Sequence, residues 1–414
     1  MPEHLIVFSH LRWDFVHQRP QHLLSRMAAT HPVIYIEEPV HSEELAHFEE
    51  SSPAPGVVVL RPHTPVRAAG YHPEQIRVIE PLLVEYLRAH GIEETLAWFY
   101  TPMALPLLRA IDPVVVVYDC MDELASFKGA PQGMRQQELA LMKRADVVFT
   151  GGISLYEAKR TLHPNVHCQP SAVDVDHFAP SKLDGFSPHA GQALTLQGHL
   201  GRPRLGYFGV IDERMDLKLV ASLADAHPQW NIVMVGPVAK VDPGALPRRE
   251  NIHWLGPQPY ARLPYLVRDW DVCLMPFALN DATQYISPTK TLEYLAAEKP
   301  VVSTAVRDVI ALYGEVVHIA SNELDFIELC EAVLASSRPA DLLDKGDARQ
   351  GLSHFSWRAT AQAMLSLIHH AMRKKRATVS PHQQDFEEVW SLSELPAGGV
   401  APEVQMLSRG FKLG

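Results

Sequence analysis

A twice-repeated alternation of short apolar runs and helical stretches, broken once between residues 177 and 203, most constrains what this chain can fold into. LIVFSH (5–10), PVIYIEEP (32–39), GVVVLRP (56–62), TLAWFYTP (95–102), PVVVVYDC (113–120) and ADVVFTGG (145–152) are apolar on both faces. Such runs belong to parallel sheets covered by helices. PQHLLSRMAA, LVEYLRAHG and GMRQQELALMKRA lie between them with helical spacing. The stretch HFAPSKLDGFSPHAGQALTLQGHLGRP then loses the pattern, and its Pro, Gly, Ser and His content reads as a linker. The alternation restarts with RLGYFGVI (204–211), WNIVMVGP (230–237), NIHWLGP (251–257), DVCLMPF (271–277), KPVVSTAV (299–306) and EVVHIAS (315–321). The pattern predicts an α/β protein with two doubly wound, Rossmann-like domains. A single eightfold barrel would need evenly spaced units in one ring. The expected boundaries are 1–178 for the first domain, 179–202 for the linker and 203–354 for the second domain. A closing amphipathic helix over 355–372 and a tail over 373–414 follow, and the sequence leaves the tail between disorder and draping over the domains.

Composition narrows the function classes. A chain of 414 residues suits two domains. Its 37 basic and 48 acidic residues, a net charge of −11, argue against a general nucleic-acid binder. The tryptophans are scattered rather than interleaved with basic residues, so single strands have no stacking platform either. Cys120, Cys168, Cys273 and Cys330 form no CxxC pair and read as free, buried thiols of a reducing compartment. The opening MPEHLIVFSHLRWDF lacks a basic segment ahead of a long apolar one, and the longest apolar runs are strand-sized. The expectation is a soluble cytoplasmic protein, with peripheral docking at the inner face of the cytoplasmic membrane left open. The 22 histidines, among them His10, His17 and His22 in the first loop, show no zinc-like spacing, so no metal is expected. Neither GxGxxG after the first strand nor GxxxxGK[ST] is present, which disfavours dehydrogenase and nucleotide-hydrolase readings.

The most informative stretch is MPFALNDATQYISPTKTLEYLAAEKPVVST, residues 275–304. Ser287 suits an N-cap and Pro288 a first helical position, so a helix is predicted from there through Thr289 to Ala297. Lys290 then lies in the first turn, where the helix dipole disfavours a cation unless an anion is bound there. Glu293 shares its face. The bland alternative is a surface ion pair behind an ordinary cap.

Beside this local physics stands a resemblance. The two-domain layout and EYLAAEKPVV (293–302) resemble the large retaining glycosyltransferase family of the GT-B fold that includes sucrose and mannosyl transferases. Glu293 stands at the second glutamate of that family's Glu-seven-residues-Glu motif, while Tyr285 occupies the first and Glu298 the place of a glycine. Pro288, Lys290 and Glu293 fit the PxKxxEYLAAxKPVV form of members with surface-polysaccharide roles, and SHLRWDFVHQRPQHLLSRMA (9–28) is similar to the opening of that subgroup. SAVDVDHF (171–178) resembles the stretch that ends the first domain. RLGYFGVIDERMDLKLV (204–220) resembles the strand and loop that meet the donor pyrophosphate; Val210 replaces the usual arginine after Gly209, leaving Arg214 as substitute and Lys218 too far into the helix.

The resemblance implies metal-independent transfer, with retention, from a UDP-, GDP- or similar nucleotide sugar to a glycan or lipid-linked acceptor in bacterial polysaccharide biosynthesis, without a bound cofactor. The implied donor residues are Gly209, Arg214, Gly256, Tyr260, Thr289, Lys290 and Glu293, with the base against Gly256–Tyr260. Glu293, Lys290 and Asp122 are the implied catalytic groups, and Trp13, Arg19, His22 and Asp119, with the neighbouring Gln21, form the acceptor side. Asp119 at the end of the strand at 113–120 and Asp122 just after it sit where ligands gather in open α/β sheets, although Asp122 also reads as a plain helix cap. Three alternatives stay open: a sugar-nucleotide 2-epimerase, a glycan phosphorylase, or a non-catalytic nucleotide- or glycan-binding protein. Oligomeric state is not legible.

Overall fold

A computed structural model describes residues 3–336, 352 and 355–379. The first sheet contains β1 (His4–Phe8), β2 (Val33–Ile36), β3 (Val40–His41), β4 (His47–Ala54), β5 (Val57–Thr64), β6 (Thr95–Phe99), β7 (Val115–Cys120), β8 (Val147–Thr150) and β9 (Val166–Cys168). Their order is β3-β5-β2-β1-β6-β7-β8-β9, all parallel, with β4 added antiparallel to β5. β1, for example, pairs Leu5 with Val33 on one side and with Leu96 on the other. The second sheet contains β10 (Arg204–Phe208), β11 (Asn231–Val235), β12 (Ile252–Trp254), β13 (Val272–Met275), β14 (Val301–Thr304) and β15 (His318–Ala320), ordered β12-β11-β10-β13-β14-β15 and wholly parallel. Both sheets therefore reverse their winding beside their first strand, the point at which open α/β sheets bind ligands beyond the strand C-termini. Two Rossmann-like domains face each other across a cleft built from those loops.

The buried, β-branched strands explain the layers. Val115, Val116 and Val117 are inaccessible to solvent, and successive side chains feed apolar clusters on opposite faces of the first sheet. One of these clusters is completed from the far end of the chain. The helix Trp357–Val379 lies over the first sheet and brings Trp357, Met364 and Ile368 against Leu23, Leu24 and Met27. The helix expected over 355–372 thus starts two residues later and runs on into the segment read as tail; residues 380–414 lie outside the described residues. The stretch read as featureless linker contains the helix Pro188–Gln197, capped by Ser187, whose Oγ accepts from His189 N at 3.3 Å. Only Ala190, Ala193 and Gln197 of it are buried, a stripe too thin to stand out in the sequence. Gln197 Nε2 donates to Leu266 O at 2.9 Å, and Trp270 Nε1 donates to Gln197 Oε1 at 2.9 Å. All four cysteines are free and buried.

A column of rings joins the domains. Tyr260 of the second domain stacks between His177, with centroids 4.2 Å apart, and His17 of the first loop at 4.5 Å. His22 meets its edge at 5.2 Å and stacks on Trp357 at 4.7 Å and 6°. Burial, reinforced by neighbouring histidines, holds His22 far below the ordinary histidine range and pushes His17 down to about 4.

Two outcomes follow from this packing. Trp357→Ala opens a cavity under a fully buried ring and should cost about 3–5 kcal/mol in urea unfolding; a loss below about 1 kcal/mol would show that the terminal helix is dispensable. The stacked histidines have folded-state pKa values below their unfolded ones, so their contribution is complete above about pH 6.5 and is lost as pH falls toward the depressed value. His17→Phe keeps a ring and removes the titration, so its melting temperature should fall less steeply between pH 7 and 5 than the wild type's; parallel curves would contradict this account.

Candidate active site

At the C-terminal end of β10 the chain must pass beneath a long cation. Gly209 has φ +140°, and a Cβ there would collide with Lys290 Cε and lie 2.7 Å from Nζ. Gly236, at the end of β11, has φ +141°, and a Cβ on it would run into the Gly209 backbone. Glycine is required at both positions because only it combines that φ with that clearance. Lys290 is thereby laid across the strand ends, with Nζ 5.6 Å from the centre of the Tyr207 ring. Glu293, one turn further along, is buried in the same cleft.

The helix carrying both residues spans Lys290–Ala296, with Thr289 before it. It begins later than the Ser-Pro signal predicted. Ser287 does not cap it; Ser287 lies against Gly152 of the first domain, where a Cβ would come within 2.7 Å of Ser287 Cβ. Lys290 keeps its expected place in the first turn. Glu298, standing at the family's glycine, closes the helix with φ +57°, the left-handed conformation that glycine adopts without strain. Burial, with Arg214 nearby, lowers the Lys290 pKa, and burial raises that of Glu293.

Arg214 lies in the same loop as Gly209. Its Nη2 is 2.6 Å from Asp212 Oδ2 and its Nε 3.0 Å from Asp212 Oδ1, so the guanidinium is held on one edge. Lys218 points elsewhere, fully on the surface beside Glu323 at 3.7 Å. From the first domain, Asp122 enters the cleft opposite these cations. It does not act as a cap: the short turn at Leu124–Ser126 is preceded by Glu123, which makes no capping bond. Burial raises the Asp122 pKa and Arg214 opposes the rise. The loop is anchored at its root, because Lys159 Nζ binds Glu123 at 2.6 Å and Glu138 at 2.7 Å in a buried cluster.

The cavity between the domains measures about 390 Å³. Trp13, Arg19, His22, Asp122, Gly209, Arg214, Tyr260, Thr289, Lys290 and Glu293 all reach its wall. Three of the expected roles need correction. Asp119 does not reach the cavity: it is wholly buried and holds Arg19, with Nη2 to Oδ1 at 2.9 Å and Nε to Oδ2 at 3.0 Å. Arg19 also donates to Gln169 O at 2.9 Å, so its head group is consumed by a buried ion pair that fixes the start of its helix rather than offered to an acceptor. Gly256 is a turn residue at φ +65° that accepts from Gly236 N at 2.8 Å, and the wall is formed by Pro257, Gln258 and Pro259 after it. Both faces of Tyr260 are covered by imidazoles, which removes the ring as a stacking surface for a base. Gln21 closes a reciprocal cap with Gln18 and donates to Trp13 O at 2.7 Å, shaping the first loop.

Tyr285, in place of the family's first glutamate, turns away and packs against the first domain's core. Gly236 and Ser287 are wall residues that sequence reasoning missed, and His17, noted in the first loop, reaches the wall without having been given a role. Glycines directly after strands were a signal for Gly236; His17 and Ser287 carry none, because only the approach of the other domain brings them in. Among the described residues, no group of three or more His, Cys, Asp or Glu side chains converges as a metal site would, and no helix is long and apolar enough to cross a membrane.

Comparison with known proteins meets this geometry from outside. The family described as "Glycosyl transferases group 1" matches residues 202–336, the stretch that carries Gly209, Arg214, Lys290 and Glu293. TuaH of Bacillus subtilis (strain 168), whose name assigns it to teichuronic acid biosynthesis as a glycosyltransferase, is 28% identical over 279 residues, covering 63% of this chain and 68% of its own. Among solved structures, sucrose-phosphate synthase from Thermosynechococcus elongatus superposes with a TM-score of 0.65 at 16% identity over 90% of this chain and 100% of its own. Trehalose 6-phosphate synthase from Burkholderia multivorans gives 0.63 at 12% identity, covering 93% and 100%. HepE of Anabaena, in complex with UDP, gives 0.53 at 14%, covering 91% and 99%. The last three likenesses speak for the fold, and the first two for what is built on it: this chain has the GT-B fold, and the stretch that carries the cleft's cations is similar to glycosyltransferases.

Proposed function

We propose that the donor's diphosphate lies across Gly209 between Lys290 and Arg214, with Glu293 directed to the sugar and Asp122 to the acceptor hydroxyl. The observation that carries this reading is the stacking of Lys290 onto a side-chain-free strand end, beside a guanidinium held on one edge, at the topological switch point of the second sheet. Two cations gathered at one point would serve as an anion site in an otherwise acidic protein. As the bond from the anomeric carbon to the diphosphate breaks, negative charge grows on the leaving oxygen, and fixed cations in a dry cleft stabilise it. The acceptor enters from the loop of Trp13 and His22. Retention of configuration, a glycan or lipid-linked acceptor of bacterial polysaccharide synthesis and docking at the cytoplasmic face of a membrane complete the proposal. The name of TuaH and the family resemblance support the polysaccharide role, and the UDP bound to HepE supports a nucleoside diphosphate in the cleft.

A thermal-shift panel of UDP-, GDP-, ADP- and dTDP-sugars should select one base; if none stabilises the protein, the donor site is misplaced. With the selected donor, Lys290→Ala and Glu293→Gln should each lower kcat/KM by about 10²–10³, and rates within twofold of wild type would dismiss both roles. The pH dependence has a definite sign. Protonated Lys290 is the form that binds the diphosphate, and its pKa is depressed, so kcat/KM should fall on the alkaline side before an ordinary lysine would titrate. Lys290→Arg should move that limb upward; an unmoved limb would assign it to another group.

A further inference from the structure

The loop that carries Asp122 reaches beyond the cleft wall and touches the second domain. The ring of Phe127 lies 5.6 Å from Arg214 Cζ and 4.6 Å from Lys240 Nζ. Next to it, Lys128 N donates to Glu213 Oε1 at 3.1 Å. On the other side the 212–214 turn is fixed by its own domain: Asn280 Nδ2 donates to Glu213 O at 3.2 Å, and Ala278 N donates to Arg214 O at 2.8 Å. Phe127 belongs to neither of the first domain's apolar clusters and does not line the cavity. Its described contacts with charge are thus made to two cations of the other domain. A ring beneath a guanidinium restrains the cation's plane and screens it from water, which strengthens its attraction for an anion.

We propose that Phe127 is a positioning residue that couples approach of the first domain to the orientation of Arg214. Asp212 holds the Nε–Nη2 edge of the guanidinium, Phe127 holds its plane, and the remaining Nη1 edge is thereby set toward the donor diphosphate. Because ring and cation sit on different domains, Arg214 is fully oriented only when the cleft is closed, when water is also excluded. The inference rests on Arg214 as a diphosphate ligand, the reading proposed above.

Calorimetry separates the two. UDP, GDP, ADP and dTDP are titrated into the full chain, and the tightest is compared with its own nucleoside, so that the gain in affinity from the diphosphate is read alone. Phe127→Leu keeps an apolar side chain and removes the π face; it should lose about fivefold of that gain, with nucleoside affinity and melting temperature unchanged. Phe127→Tyr should restore it. In an Arg214→Ala background, Phe127→Leu should have no further effect. The coupling is overturned if Phe127→Leu keeps the full gain, if Tyr fails to restore it, if nucleoside binding falls equally, or if the loss persists without Arg214. Arg214→Ala alone diagnoses the underlying reading: if it keeps the full gain, Arg214 is not a diphosphate ligand and the coupling falls with it. If it loses the gain while Phe127→Leu does not, only the coupling fails.

Discussion

The cleft depends on one steric arrangement, the passage of Lys290 over Gly209. A cation at the start of a helix, close to a guanidinium, sits in an unfavourable field. The fold tolerates it by surrounding it with Glu293, Asp212 and Asp122, the acidic groups that oppose its loss of charge. The two glycines make the arrangement possible, because any Cβ on Gly209 or Gly236 would drive the lysine or the β10 end out of place. A protein of net charge −11 thus concentrates positive potential at one point, by placement rather than by number.

The second requirement is that the domains meet. Tyr260 is inserted between His17 and His177, Asp308 Oδ1 accepts from Ser154 N at 3.1 Å, and Ser287 abuts Gly152. Each contact lies close to a cleft residue, so the meeting of the domains also sets the shape of the cleft. The terminal helix strengthens the arrangement by returning to the first domain and stacking Trp357 on His22. In a glycosyl transfer, a cleft that sheds water protects the donor from hydrolysis.

The sequence made the architecture legible because strands such as Val115–Cys120 are buried on both faces and so carry unbroken apolar runs. It also exposed Lys290 and Glu293, whose spacing and helix start are local properties. What it concealed was long-range. Asp119 looked like a cleft carboxylate, but Arg19, a hundred residues earlier, claims it. Tyr260 stood in the segment expected to meet the base, and histidines from two other segments cover its ring. The β4 strand, HFEESSPA, is largely exposed and carries no apolar run, and it pairs antiparallel to β5. The helix Pro188–Gln197 was hidden by its small buried residues. Side chains whose partners come from another segment of the chain have no local signature, and these include most of the residues that shape the cleft.

In the proposed donor site, Lys290 and Arg214 together hold a diphosphate above Gly209. The most direct measurement is a crystal structure of the protein with the nucleoside diphosphate that binds it best. Phosphate oxygens are expected within hydrogen-bonding distance of Lys290 Nζ and the Arg214 guanidinium, with the base beyond Pro257–Pro259. A diphosphate bound elsewhere in the cleft, out of reach of Lys290 and Arg214, would contradict it.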